Sequence, residues 1–243
     1  VFRRVARVRG SCRAVAALEF ALVAPVATTL SFAAVDIARA YTVWEQTCNA
    51  APAIAEAAEK LSYSSSSATT QLTYTQMQSA MSIIYAEVPG LSLGNGTSTT
   101  ASTFRVTLSG VVYAPTCATS SGCAAQTPYT AWSSYLAQTG VTFTTAPLRA
   151  CGALTGVSSF PNNDTQLTKM VTWSAAAGNG YVPIAPQVVA DVRSTYVPIF
   201  SLFLGTVVFW SSAVMPAPLG YTNQTISFNS ATPTGNVQTC TVP

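Results

Sequence analysis

From Val15 to Val35 the chain reads VAALEFALVAPVATTLSFAAV, 21 residues whose only charge is Glu19. A helix of that length rises about 31 Å at ~1.5 Å per residue, which matches the ~30 Å hydrocarbon core of a bilayer. It can span a membrane. Arg3, Arg4, Arg7, Arg9 and Arg13 crowd its N-terminal flank and almost no cation follows it. The positive-inside rule therefore predicts a cytoplasmic N-terminal end, with everything after Asp36 exported. The apolar region of a cleavable secretory signal is shorter, ~7 to 15 residues, and lacks a buried acid, so the run reads as a spanning helix.

Helical periodicity continues beyond the run to about Leu61. Ile37, Tyr41, Trp44, Cys48, Ala51, Ala55 and Ala58 recur at alternating intervals of four and three, the signature of one stripe on a helix that needs a partner surface. Pro25 and Pro52 each remove an amide donor and crowd the preceding turn, so kinks or breaks are expected there. Asp36 and Arg39, at the outer end of the span, read either as an i,i+3 pair or as two interfacial charges marking the membrane boundary.

The rest of the chain reads as α+β. The hydroxyl-rich segment 64–70 is a linker, and a helix is expected from Thr73 to Val88 with Met77, Met81, Ile84 and Tyr85 on one face. Leu91 to Ser102 is a loop. Phe104 to Tyr113, Lys169 to Ser174 and Gln187 to Val197 are strands, the first with Phe104, Val106, Leu108 and Val111 inward. In the third, Val188, Ala190, Val192 and Tyr196 alternate with Val189, Asp191, Arg193 and Thr195, which predicts one buried face and one polar face. Ile199 to Met215 is a second apolar stretch. Gly205 and the β-branched centre Thr206-Val207-Val208 favour a short turn or helix followed by a buried strand over a second span.

Composition narrows the function. Charged residues are 8% and there is no His, which removes Ser-His-Asp hydrolases, His-ligated zinc enzymes and Cys-His proteases. After Arg13 the chain has six basic and eight acidic residues, so no nucleic-acid face is expected. Ser (26) and Thr (33) make up roughly a quarter of the chain, a hydroxyl-rich and weakly charged surface typical of exported proteins. The carboxylates form no recognisable catalytic pair, and neither a phosphate loop nor a dinucleotide fingerprint occurs. No cofactor and no metal is expected, and the chain reads as a non-enzyme. Of six cysteines, Cys12 falls in the basic leader and five on the exported side, leaving one unpaired. Cys48, on the helical stripe, is the expected free thiol. Cys117 with Cys123 and Cys151 with Cys240 is the favoured pairing among three, because a short loop closes at least entropic cost.

Arg9-Gly10 and Arg13, the run Ala14-Val15-Ala16-Ala17-Leu18-Glu19-Phe20-Ala21-Leu22-Val23-Ala24-Pro25, and Asp36-Ile37-Ala38-Arg39-Ala40 resemble the N-terminus of TadE-like pseudopilins of the tight-adherence (Tad/Flp) pilus system. In that family a basic leader precedes a small residue, then an apolar segment with Glu fifth after the cut and an aromatic residue behind it. A cut between Ala14 and Val15 makes Glu19 fifth, with Phe20 next. A weaker echo lies in Val192-Arg193, Tyr196 and the segment ending Ala213-Val214-Met215-Pro216.

The resemblance implies a leader over 1–14 and a pilin-like transmembrane rod over 15–61; the exported domain over 62–243 is expected to be an α+β unit whose antiparallel β-sheet packs on the apolar stripe of the rod, because neither surface can be left in water. The resemblance also implies a minor pseudopilin, with Ala14 and Val15 at the processing site and Val15, Glu19 and Phe20 as assembly residues. The implied partners are the inner membrane, a prepilin peptidase, other pilus subunits and the assembly platform. Glu19 also has a physical reading. A carboxylate in hydrocarbon costs ~2.5 to 3.5 kcal/mol and asks for a partner, which the new α-amino group of Val15 on a neighbouring subunit would supply at an axial stagger of about 6 Å. The alternative function is an inner-membrane-anchored periplasmic binding module that holds an assembly partner or an envelope polysaccharide.

Overall fold

A computed structural model describes residues 2–61, 71–88, 103–115, 126–136, 148–154, 158–159, 161–163, 167, 186–201, 204–217, 227–228 and 237–242. The expected linker 64–70, the loop Leu91 to Ser102 and the strand Lys169 to Ser174 lie wholly or almost wholly outside them, as do Cys117 and Cys123. The first element, α1 (Phe2–Glu59), is one helix of 58 residues. It is followed by β1 (Gln71–Leu72), α2 (Tyr74–Met81), α3 (Ile84–Glu87), β2 (Thr103–Pro115), β3 (Gln126–Tyr135), β4 (Gly152–Ala153), β5 (Ser158–Ser159), β6 (Asn162–Asn163), β7 (Gln187–Tyr196), β8 (Val207–Pro216), β9 (Ser227–Phe228) and β10 (Val237–Thr239).

The helix runs through Pro25 and Pro52 without the expected breaks. A proline removes one amide from the ladder, and the hydrogen bonds on either side still hold the turn. Near Pro25 the hydroxyls of the apolar run are satisfied by the helix itself. Thr28 Oγ1 donates to the carbonyls of Ala24 (2.7 Å) and Pro25 (2.9 Å), Thr29 to Val26 and Ser31 to Ala27. Polar side chains that bond back to their own backbone are compatible with lipid.

The main sheet is antiparallel, with strand order β10-β3-β2-β7-β8 and β4 paired to β3. One face packs on α1, α2 and α3. Ala50, Ala51, Ile54, Ala55 and Ala58 of α1 meet Met77, Met81 and Ile84 of the short helices and Phe104, Val106, Leu108, Val188, Ala190 and Val192 of the sheet. Alanines on α1 let the helix axis approach the sheet closely. The expected stripe is buried only in its upper half: Ala51, Ala55 and Ala58 are enclosed, whereas Ile37, Tyr41 and Trp44 are exposed. Between Asp36 and Thr47 the packed face carries two polar residues in place of apolar ones, because both bond to the sheet side; Thr47 Oγ1 lies 2.7 Å from Ser194 Oγ.

Other expectations also shift. The helix expected from Thr73 to Val88 is interrupted at Ser82-Ile83, and Tyr85 is exposed. Its start is a capping box, in which Gln76 N–H donates to Thr73 Oγ1 and Thr73 N–H to Gln76 Oε1. Strict alternation along β2 puts Val112 with Phe104, Val106 and Leu108, and sends Val111 to the opposite face.

β7 has no polar face open to water, because it is buried on both sides. On the face away from α1, Asp191 accepts from Arg149 Nη2 (2.6 Å) and from Ser212 Oγ (2.5 Å), and both partners of the ion pair are fully enclosed. Arg149 N–H donates to Ser133 Oγ, which lies 3.0 Å from Ser109 Oγ. Burial pushes the Asp191 carboxyl above its ordinary range, while the guanidinium and the Ser212 hydroxyl pull it back. Beside this polar layer, Val111, Leu154, Leu167 and Val189 form a small apolar cluster. The second apolar stretch ends in β8, an edge strand that is half-buried rather than enclosed; its described residues contain no helix.

Gly110 lies under the buried indole of Trp132, the residue opposite it in β3, and a Cβ there would overlap the ring. Gly110→Ala should therefore cost ~1 to 3 kcal/mol in thermal unfolding of the full chain in detergent, and Gly110→Ala with Trp132→Leu should recover part of the loss. A chain starting at Leu61 loses four buried alanines and Ile54. At ~0.8 kcal/mol per methyl-sized group and ~2 for the isoleucine this is roughly 5 kcal/mol, comparable with a whole domain's stability. It should aggregate where one starting at Asp36 stays folded; equal unfolding temperatures would refute the shared core.

Candidate membrane-anchoring and assembly site

The residues singled out for processing and assembly lie along the uncovered part of α1. The Ala14–Val15 bond is within continuous helix. Val15, Glu19 and Phe20 are exposed, Phe20 with 73% of its surface open. Val15 and Glu19 are one helical turn apart on the same face, so on a single chain they present a free carboxylate beside the first residue of the proposed mature rod. Leu18, Leu22, Val23, Val26 and Leu30 are also open. Among the described residues one helix, from Val15 onward, is long and apolar enough to cross a membrane, and only 6% of its most apolar window is buried. A soluble core helix would have covered that surface, so the uncovered segment is a membrane anchor.

Asp36 ends the uncovered stretch in a way the sequence did not reveal. It is neither an open boundary charge nor a surface partner of Arg39, being 2% exposed. Oδ1 accepts the N–H of Ile199 (3.0 Å) and Oδ2 the N–H of Phe200 (3.1 Å), and the Tyr196 hydroxyl donates to the Asp36 carbonyl (3.1 Å). Phe200 stacks on Phe32 with ring centroids 4.3 Å apart. Three elements meet there: the outer end of the apolar helix, the end of β7 and the bend leading to β8. The signal was present as an acid closing an apolar run, and as Tyr196 and Pro198 preceding a second one. Nothing in residue spacing joined two segments about 160 positions apart.

Cys151 and Cys240 form a disulfide with their Cα atoms 5.4 Å apart, and Cys48 is a free thiol. The bridge ties the segment that carries Arg149 to the end of β10, whose next residue, Cys240, donates its N–H to the Ala131 carbonyl at 2.8 Å. Asp191, enclosed in its ion pair, is closed to any substrate.

Removing the Asp36 carboxylate leaves two part-buried amides without their acceptors, at ~0.5 to 1.5 kcal/mol each. Asp36→Ala should lower the unfolding temperature and open the 197–201 bend to protease, whereas Asp36→Asn, which keeps one acceptor oxygen, should fall between it and the natural chain. An Ala variant as protease-resistant as the natural chain would show that the clamp contributes nothing.

Residues 14–56 match the family model described as TadE-like protein. No curated protein and no solved structure matches the chain. The matched segment begins at Ala14, takes in the uncovered apolar helix and ends within the α1 face that packs on the sheet. Over these residues, Ala14 to Glu56, the chain is similar to TadE-like proteins, and the match covers less than a fifth of its length.

Proposed function

We propose that this chain is a minor pseudopilin, a structural and assembly subunit of a Tad-type pilus involved in adhesion and pilus biogenesis. The observation that carries the reading is the coincidence of the TadE-like segment with a helix whose apolar run is left largely without cover while its continuation is locked into a folded domain. That division suits a subunit which waits in a membrane and then exchanges lipid for neighbouring rods. In this reading a prepilin peptidase removes the leader 1–14 between Ala14 and Val15, the rod 15–61 joins other pilus subunits at the assembly platform, and the domain 62–243 faces outward from the cell.

Glu19 supplies register. Its carboxylate in one subunit and the α-ammonium of Val15 in the next form a charge pair within a helix bundle, and such a buried pair rewards a single axial offset. Phe20 beside it packs into the same interface.

Mass spectrometry of protein recovered from membranes should find Val15 as the mature N-terminus, and Ala14→Leu should block the cut. Protein that retains residues 1–14 in cells with an active peptidase would instead favour a single-pass anchored binding module. Glu19→Ala makes the span more apolar, so the variant should remain in the membrane while co-purification with pilus components falls about tenfold or more, equivalent to ~1.4 kcal/mol. Normal incorporation of that variant would remove the charge-pair argument.

A further inference from the structure

We infer that the 198–200 bend dips into the membrane, so that the sheet domain is a lipid-docked body rather than one held clear of the bilayer on a stalk. The inference rests on α1 as a membrane anchor and is independent of the pilus role.

The first observation is length. Val15 to Trp44 rises about 43 Å, matching the ~40 to 45 Å of a bilayer with its headgroup regions, and Phe20 to Ala40 covers the ~30 Å of hydrocarbon. Placed so, Glu19 lies at one hydrocarbon boundary, Tyr41 and Trp44 lie at the other headgroup level as interfacial aromatics do, and Asp36 falls inside the hydrocarbon. The Tyr41 and Trp44 rings are 5.4 Å apart and both side chains are open.

A carboxylate at that depth requires internal partners, and Asp36 has them. It also answers the opposite need, because irregular backbone in hydrocarbon must not leave amides free. Pro198 has no N–H, and the N–H groups of Ile199 and Phe200 both donate to Asp36. The bend therefore presents no unsatisfied amide from Pro198 to Phe200. What it does present is apolar: Ile199 is 55% exposed at its tip.

The third observation is continuity. Ile37, Tyr41 and Trp44 of α1 and Leu204, Val207 and Phe209 ahead of and along β8 line an open apolar groove of about 430 Å³ that extends the uncovered belt of the anchor without a charged break. Arg39, the one cation nearby, is exposed on α1 and long enough to reach the headgroups. Acyl chains of the leaflet on the sheet side are the occupant that this continuity selects.

The test uses the full chain in bilayers, in a Trp44→Phe, Trp210→Phe background. Ile199→Trp is added in one variant and Val26→Trp, at mid-span, in another; both positions are open, so neither change crowds the core. The emission that each added Trp contributes over this background, which keeps Trp132 and Trp173, is followed in lipids brominated near the headgroup or near the chain ends. Val26→Trp should be quenched by the deep bromines, which establishes the span. Ile199→Trp should lose intensity to the shallow bromines more than to the deep ones. Quenching at Val26→Trp with none at Ile199→Trp overturns the docking while leaving the anchor intact, and no quenching at either overturns the anchor. Blue-shifted Ile199→Trp emission that ignores bromine and reddens on dilution into excess lipid also overturns it, by assigning the face to a second copy of the chain.

Discussion

The enclosed carboxylate of Asp36 is the point at which the folded domain is fixed to the long helix. Between Glu19 and Asp36 α1 offers apolar groups and self-satisfied hydroxyls; beyond Thr47 the same helix has a face of alanines set against a sheet. A rod continuous through both environments needs the folded domain fixed at a defined height along it. The two amides of Ile199 and Phe200, the Tyr196 hydroxyl and the Phe32–Phe200 stack fix that height. Each contact joins α1 to the end of β7 or the start of the β8 connection, so the orientation of the sheet on the rod follows from this point and from the Thr47–Ser194 bond further along.

The two faces of the sheet are stabilised by different means. Against α1 the contact is apolar and tolerates only small helix residues, as the run Ala50, Ala51, Ala55 and Ala58 shows. On the other face a fully buried Arg149–Asp191 pair, completed by Ser212, is covered by the segment that the Cys151–Cys240 bridge holds in place. A buried pair of this kind contributes little net stability against apolar groups of equal volume, but removing one partner costs ~3 to 5 kcal/mol. Its effect is to admit one arrangement of the covering segment.

This division of labour agrees with an assembly subunit. The anchor can exchange its surroundings, since nothing in the domain covers Leu18, Phe20 or Leu22, while the domain does not depend on what those residues touch. The TadE-like match takes in residues 14–56, the uncovered helix and most of its packed continuation.

Local physics determined the anchor. Twenty-one residues with one charge, a basic flank and helical periodicity prescribe a long helix with a lipid-compatible half, and strict alternation in Phe104–Leu108 and Val188–Val192 prescribes strands with an apolar face. The antiparallel sheet on the upper rod follows from two surfaces that cannot face water. Tertiary structure decided the rest, because it depends on which distant groups meet. Hydropathy placed Ile37, Tyr41 and Trp44 on the packed stripe, yet Asp36 and Thr47 hold that place, since hydrogen bonds from Ile199, Phe200 and Ser194 offset the loss of apolar contact. Asp191 read as a surface acid until Arg149, 42 positions away, closed over it. A one-dimensional pattern reports how much a residue resists water; whether a polar residue is enclosed depends on a partner that only the folded chain brings within hydrogen-bonding distance.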